Sequence, residues 1–156
     1  MAFAHLPTLI ETRLANAIAD ETFASGVTVS SSTGAQLIEF PAVIVALEKG
    51  TEEPAHSGNF QCEISLTVLS RVDPDNAETY SDVVSAHNDL AGNIAEWLMT
   101  DTEATAAQIS GTITGYTNTL TVESIRLDGF GRDISADDGA FEEVFTVEIY
   151  AHMAAY

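Results

Sequence analysis

Between Asp73 and Asp101, apolar or bulky residues recur at Ala77, Tyr80, Val84, His87, Ala91, Ile94 and Leu98. Steps alternating between three and four keep one face of a helix apolar, so the spacing predicts an amphipathic helix. Val83, Leu90 and Trp97 widen that face, while Glu78, Asp82, Ser85, Asp89, Asn93 and Glu96 take the opposite side. Asp73-Pro74-Asp75 reads as its start, because Asp accepts from orphan N–H groups and Pro fits the first helical position. A helix of this extent runs roughly 35–40 Å, with Gly92 inside it at a cost in propensity. One apolar face of that length requires a sheet to lie on.

The other patterns supply the sheet. Leu6, Leu9, Ile10, Arg13, Leu14, Ala17 and Ile18 fall at helical spacing, with Pro7 near the start and Gly26 beyond the end. They predict a leading helix of about four to five turns. Val27 and Val29 begin a short strand, and Ser30 to Gly34 is a polar link. Ala42 to Leu47, led by Phe40-Pro41, is apolar on both parities, the mark of a strand covered on both faces or buried at a subunit contact. Lys49 to Asn59 reads as a long hairpin loop. Phe60, Cys62, Ile64, Leu66 and Val68 then alternate with Gln61, Glu63, Ser65 and Thr67, a strand with one core face. After the central helix, Thr102 to Gln108 is a further short helical turn. Leu120 and Val122 share one parity and Ile125 and Leu127 the other, which predicts a strand with a bulge near Ser124. Asp128 to Gly139, rich in glycine and aspartate, reads as the tip of a second long hairpin. Its return strand places Phe141, Phe145, Val147, Ile149, Ala151 and Met153 on one side. No internal repeat or linker interrupts this order, so residues 1–156 read as a single domain.

Composition adds a constraint on partners. Of 156 residues, 46% are hydrophobic, enough for a globular core. No apolar run approaches a membrane span, and Met1 to His5 lacks the pattern of a secretory signal. Cys62 is the single cysteine, which excludes an intrachain disulfide framework. There are 24 acidic residues against five basic ones, for a formal net charge of −19. Such a surface does not hold nucleic acid by neutralising phosphates. It suits ordinary solubility, a high-salt cell interior where charge is screened, or a surface that DNA passes without sticking.

Catalytic chemistry is not evident. His5, His56, His87 and His152 are scattered, with no pair at metal-ligand spacing. His87 falls on the apolar helix face and Cys62 on the buried parity of a strand, so both read as core residues. There is no nucleophile elbow, phosphate-binding loop or dinucleotide fingerprint. Asp133 to Gly139 opens like a calcium loop, but Asp138 stands where that loop needs glycine and Val144 where it needs its closing glutamate. The expectation is a chain without enzymatic activity, cofactor or metal.

The order of elements resembles the tail terminator, or tail completion, proteins of long-tailed bacteriophages and related viruses. Leu6 to Phe23 resembles the family's leading helix. Val27 to Leu47, ending in Phe40-Pro41-Ala42-Val43-Ile44-Val45, is similar to its short strand, variable loop and Pro-led strand. Phe60 to Asp101 with the closing strand Phe141 to Met153 resembles its core. The resemblance implies an α/β (α+β) fold: a mixed, largely antiparallel sheet, a leading helix and one long central helix packed on one face, and two long hairpin extensions. It implies a homohexameric ring in the virion, assembled in the host cytoplasm, that caps the tail tube protein and joins it to the neck, or head–tail connector, protein. DNA passes through the lumen without specific binding, and no membrane is involved. Val43 and Val45 on the two-sided strand, Glu52, Glu53 and His56 on the first hairpin, and Asp128, Arg132, Asp137 and Asp138 on the second are the candidate subunit or ring–ring contacts. Two other readings fit the pattern: a tail tube or neck protein, and a small acidic ligand-binding or interaction domain.

Overall fold

A computed structural model describes residues 2–32, 39–72, 80–135 and 139–153. In chain order the elements are α1 (Ala2–Ala19), a 3-10 turn (Thr22–Ala24), β1 (Thr28–Ser31), β2 (Ala42–Glu52), β3 (Asn59–Arg71), α2 (Tyr80–Met99), α3 (Thr102–Ile109), β4 (Leu120–Ser135) and β5 (Ala140–Met153). The five strands form one sheet in the order β1-β2-β3-β5-β4. Only β1 and β2 run parallel; the other three pairings are antiparallel. The fold is therefore a mixed, largely antiparallel sheet with helices on one face, as the resemblance implies.

The periodicities explain which side chains make the core. On β3, Phe60, Cys62, Ile64, Leu66 and Val68 are all buried, while Gln61 and Glu63 are exposed. Leu6, Leu9, Ile10, Leu14 and Ile18 of α1, and Leu90, Ala91, Ile94 and Leu98 of α2, fill the same cluster. Tyr80, expected on the packed face of α2, is instead 49% exposed and leans on Phe141 with ring centroids 5.8 Å apart. Asp73-Pro74-Asp75, Ala77 and Glu78 lie outside the described residues. Among the described residues no helix is long and apolar enough to cross a membrane.

Two polar residues of α1 fasten it. Arg13, grouped by spacing with the apolar face, donates to the carbonyls of Gln108, Ile109 and Ser110 at 2.9, 2.9 and 2.6 Å. Those are orphan carbonyls at the C-terminus of α3, where a cation also meets the negative end of the helix dipole. Glu11, buried on the same helix, accepts from Ser32 N, Ser32 Oγ and Leu47 N at 3.1, 2.7 and 3.0 Å. Beyond Ser31 no described strand pairs with this edge of β2, and the carboxylate bonds Leu47 N there.

Three elements differ from expectation in extent. α1 begins at Ala2, so Pro7 falls within the helix instead of at its first turn. β2 continues to Glu52, which shortens the first loop to residues 53–58. β4 continues to Ser135, paired without a break with β5 from Gly129 onward, so much of Asp128 to Gly139 is ladder and not tip. The bulge expected near Ser124 falls between Val122 and Ser124, and a second falls between Leu127 and Gly129. That second bulge resets the parity and lets the strand run on.

Candidate assembly surfaces

The β3–β5 ladder fixes where the two hairpins end. Asn59 pairs with His152 at one end and Arg71 pairs with Ala140 at the other. The β2–β3 loop and the β4–β5 turn therefore lie at opposite ends of the sheet. At about 3.4 Å per residue, the length of β3 separates them by about 40 Å.

The first loop is closed by its own contacts. Glu52 accepts from His56 N and Gly58 N at 2.9 and 3.0 Å. Gly58 has φ +80, and a Cβ there would stand 2.6 Å from Met153 O, so glycine is required. Met153 N donates back to Gly58 O at 2.8 Å. Of the candidates on this hairpin, Glu53 and His56 are exposed at the tip. Glu52 is half-buried beside them, its carboxylate bonded within the loop.

On the second hairpin, Asp128 is exposed and pairs with Arg126 at 3.1 Å. Arg132 pairs with Glu143 and donates to Asn88 Oδ1, both at 2.9 Å, which ties β4 and β5 to α2. Its guanidinium thus serves the chain internally. Asp137 and Asp138 lie outside the described residues.

Val43 and Val45 are corrected. Both are 0% exposed within the chain's own core, because their parity faces the helices. The other face of β2 presents Ile44 and Ala46, half-buried with no described helix over them. Two rows of neighbours cross the sheet on that uncovered face. One runs Ala46, Ser65, Thr146, Gly129; the other runs Ser30, Ile44, Thr67, Val144, Gly131. Neither row contains a charge. Charged residues border them: Lys49, Glu63, Glu148 and Arg126 form the next row on one side, and Glu142 faces Asp133 on the other. Glu48 reaches the border too, accepting from Ser65 Oγ at 2.7 Å. A hydrogen bond from Tyr150, with help from Arg126, holds Glu148 below the usual carboxylate range.

The scattered histidines remain apart. His5 Nδ1 meets Asn118 Oδ1 at 2.6 Å, His152 Nδ1 meets Asn59 Oδ1 at 2.9 Å, and His56 is exposed. His87 is 2% exposed and hydrogen-bonded through Nδ1 to Ser70 Oγ at 2.8 Å, while its Nε2 has no partner. Burial lowers its pKa, and nearby Glu143 opposes that shift. His87 also lines a cavity of about 420 Å³ with Phe23, Phe40, Val83 and Leu90. Burial pushes the Cys62 thiol up to about 11, so it is a poor nucleophile at neutral pH. Among the described residues no group of three or more His, Cys, Asp or Glu is placed to hold a metal ion.

Compared with models of known protein families and with curated protein sequences, the chain matches none.

Residue spacing missed the uncovered face because Asp128 to Gly139 reads as a turn by composition. A period-two signal was nonetheless present: Gly129, Gly131 and Asp133 on one parity, Phe130 and Arg132 on the other.

Proposed function

We propose that this chain is a structural virion protein, a tail terminator or completion protein. In this reading it assembles as a ring of six copies that caps the tail tube and joins it to the head–neck connector. The observation that supports it most is the placement of the two hairpin ends, about 40 Å apart at opposite ends of one continuous ladder. A subunit that bridges two different neighbours needs two separate, well-defined ends. Both ends here are held by backbone contacts: Gly58 against Met153 at one, and Val72 N donating to Gly139 O at 2.8 Å at the other. The acid excess suits a lumen through which DNA slides, since like charges discourage adhesion.

A gold-labelled antibody against the chain, applied to virions of the virus that encodes it, tests this placement. Label at the junction of tube and neck is expected. Label spread along the tube favours a tube protein, and virions without label exclude a virion role.

A ligand-binding domain is the second reading, and the apolar cavity beside His87 favours it, since its volume lies in the range of small-molecule sites. A saturable rise in melting temperature with an apolar small molecule would support that reading.

A further inference from the structure

We propose that the charge-free face of the sheet is where one copy of this chain receives the next, and that Phe130 is the side chain received. The inference rests on the ring reading and specifies its contacts. Phe130 is 74% exposed, the most exposed large hydrophobic residue described. It stands beside Phe145 on the helix-bearing side of edge strand β4, with ring centroids 6.4 Å apart. Its neighbours Gly129 and Gly131 face the other way, onto the uncovered face.

Among the described residues nothing calls for glycine at those two positions. Neither has the positive φ that favours glycine, and a Cβ at either would meet nothing within 4 Å. Glycine inside a strand lowers stability and removes packing, and it is suited to places where another backbone or ligand comes close. In the proposed contact the backbone that approaches them is the neighbouring copy's. Gly129 and Gly131 form one end of a face also lined by Ile44, Thr67, Val144 and Thr146, which gives an apolar side chain a shallow, uncharged floor.

Charge selects the occupant. A basic partner would be drawn to the acidic surface around this face, not to its neutral centre. Two copies of a chain with net charge −19 repel least where neither carries charge, and the Gly129-Phe130-Gly131 segment carries none. The direction of the contact also follows. The projecting ring and the receiving floor lie on opposite sides of the same sheet, so the contact is head-to-tail and not self-complementary. Head-to-tail contacts generate rings when the rotation closes.

Light scattering at high salt on wild type, Phe130→Ser, Gly131→Glu and Met99→Ser tests the proposal. Met99, 59% exposed at the end of α2, controls for loss of any exposed apolar side chain. Wild type and Met99→Ser are expected to associate, while Phe130→Ser and Gly131→Glu run at about one-sixth of the ring mass with unchanged thermal melts. If wild type forms rings and both variants do so equally, this contact is wrong and the ring reading stands. If Phe130→Ser alone dissociates, the projecting ring stands but the glycine floor is overturned. If wild type is monomeric throughout, the ring reading fails and takes this contact with it.

Discussion

Glu11→Ala removes the acceptor that serves the β2 edge where β1 ends. Its consequence can be worked donor by donor. Ser32 N also donates to Val45 O at 2.8 Å, and Ser32 is exposed, so both of its donors find substitutes. Leu47 N donates to Glu11 Oε2, and Leu47 is largely buried. A buried backbone donor left unsatisfied costs about 1–3 kcal/mol, and the truncated side chain adds a packing loss. The total is about 2–4 kcal/mol, which in a domain of this size lowers Tm by about 4–16 °C. Glu11→Gln keeps the volume and one acceptor oxygen, so its loss should be smaller. Circular dichroism melts give the shift, and hydrogen exchange at the Leu47 amide reports the bond itself. The exposed Glu123→Ala is the control. If Glu11→Ala melts no lower than Glu123→Ala, and the Leu47 amide exchanges as in wild type, the carboxylate does not hold α1 to the sheet.

Ile94, fully buried on the sheet-facing side of α2, should cost about 2–5 kcal/mol as Ile94→Ala, while exposed Asp82→Ala stays within about 0.5 kcal/mol; equal melts would refute the helix orientation. His87 has a folded pKa below its unfolded value, so the unfolded chain takes up the proton first as pH falls. Stability is whole above the unfolded pKa of about 6.5 and is lost as pH drops toward the folded pKa, a loss that His87→Gln should reduce in melts from pH 7 to 5. The Cys62 thiol should resist alkylation in the folded chain at pH 7 and react once urea exposes it; rapid labelling of the native protein would show that it is not buried.

What spacing revealed and what it missed divide along physical lines. Strict alternation from Phe60 to Val68 identifies β3 and its core face, because side-chain direction alone decides burial there. The buried positions of α2 follow from the three-and-four spacing for the same reason. Glu11 and Arg13 were not legible in the same way. Each serves backbone groups distant in the chain, Leu47 and residues 108–110, so their partners exist only once the elements are packed. Ala42 to Leu47 is apolar on both parities, yet only one parity meets the helices; the other forms part of the uncovered face. The second bulge, at Leu127 and Gly129, reverses a parity that spacing would otherwise have carried into the wrong face. Composition then disguised the outer part of β4, since glycine and aspartate mark turns far more often than edge strands.

The ring itself is tested most directly by the mass of the purified chain across a salt series. Each copy weighs 16.6 kDa, and a closed ring of six weighs about 100 kDa. Closing copies of net charge −19 costs electrostatic energy, which salt relieves by shortening the Debye length from about 30 Å at 0.01 M to about 3 Å at 1 M. Multi-angle light scattering should therefore find a monomer in dilute low-salt buffer and a discrete species near 100 kDa at 1 M salt and high protein concentration. A chain that stays at 16.6 kDa there, or grows without a defined size, is not a self-closing ring.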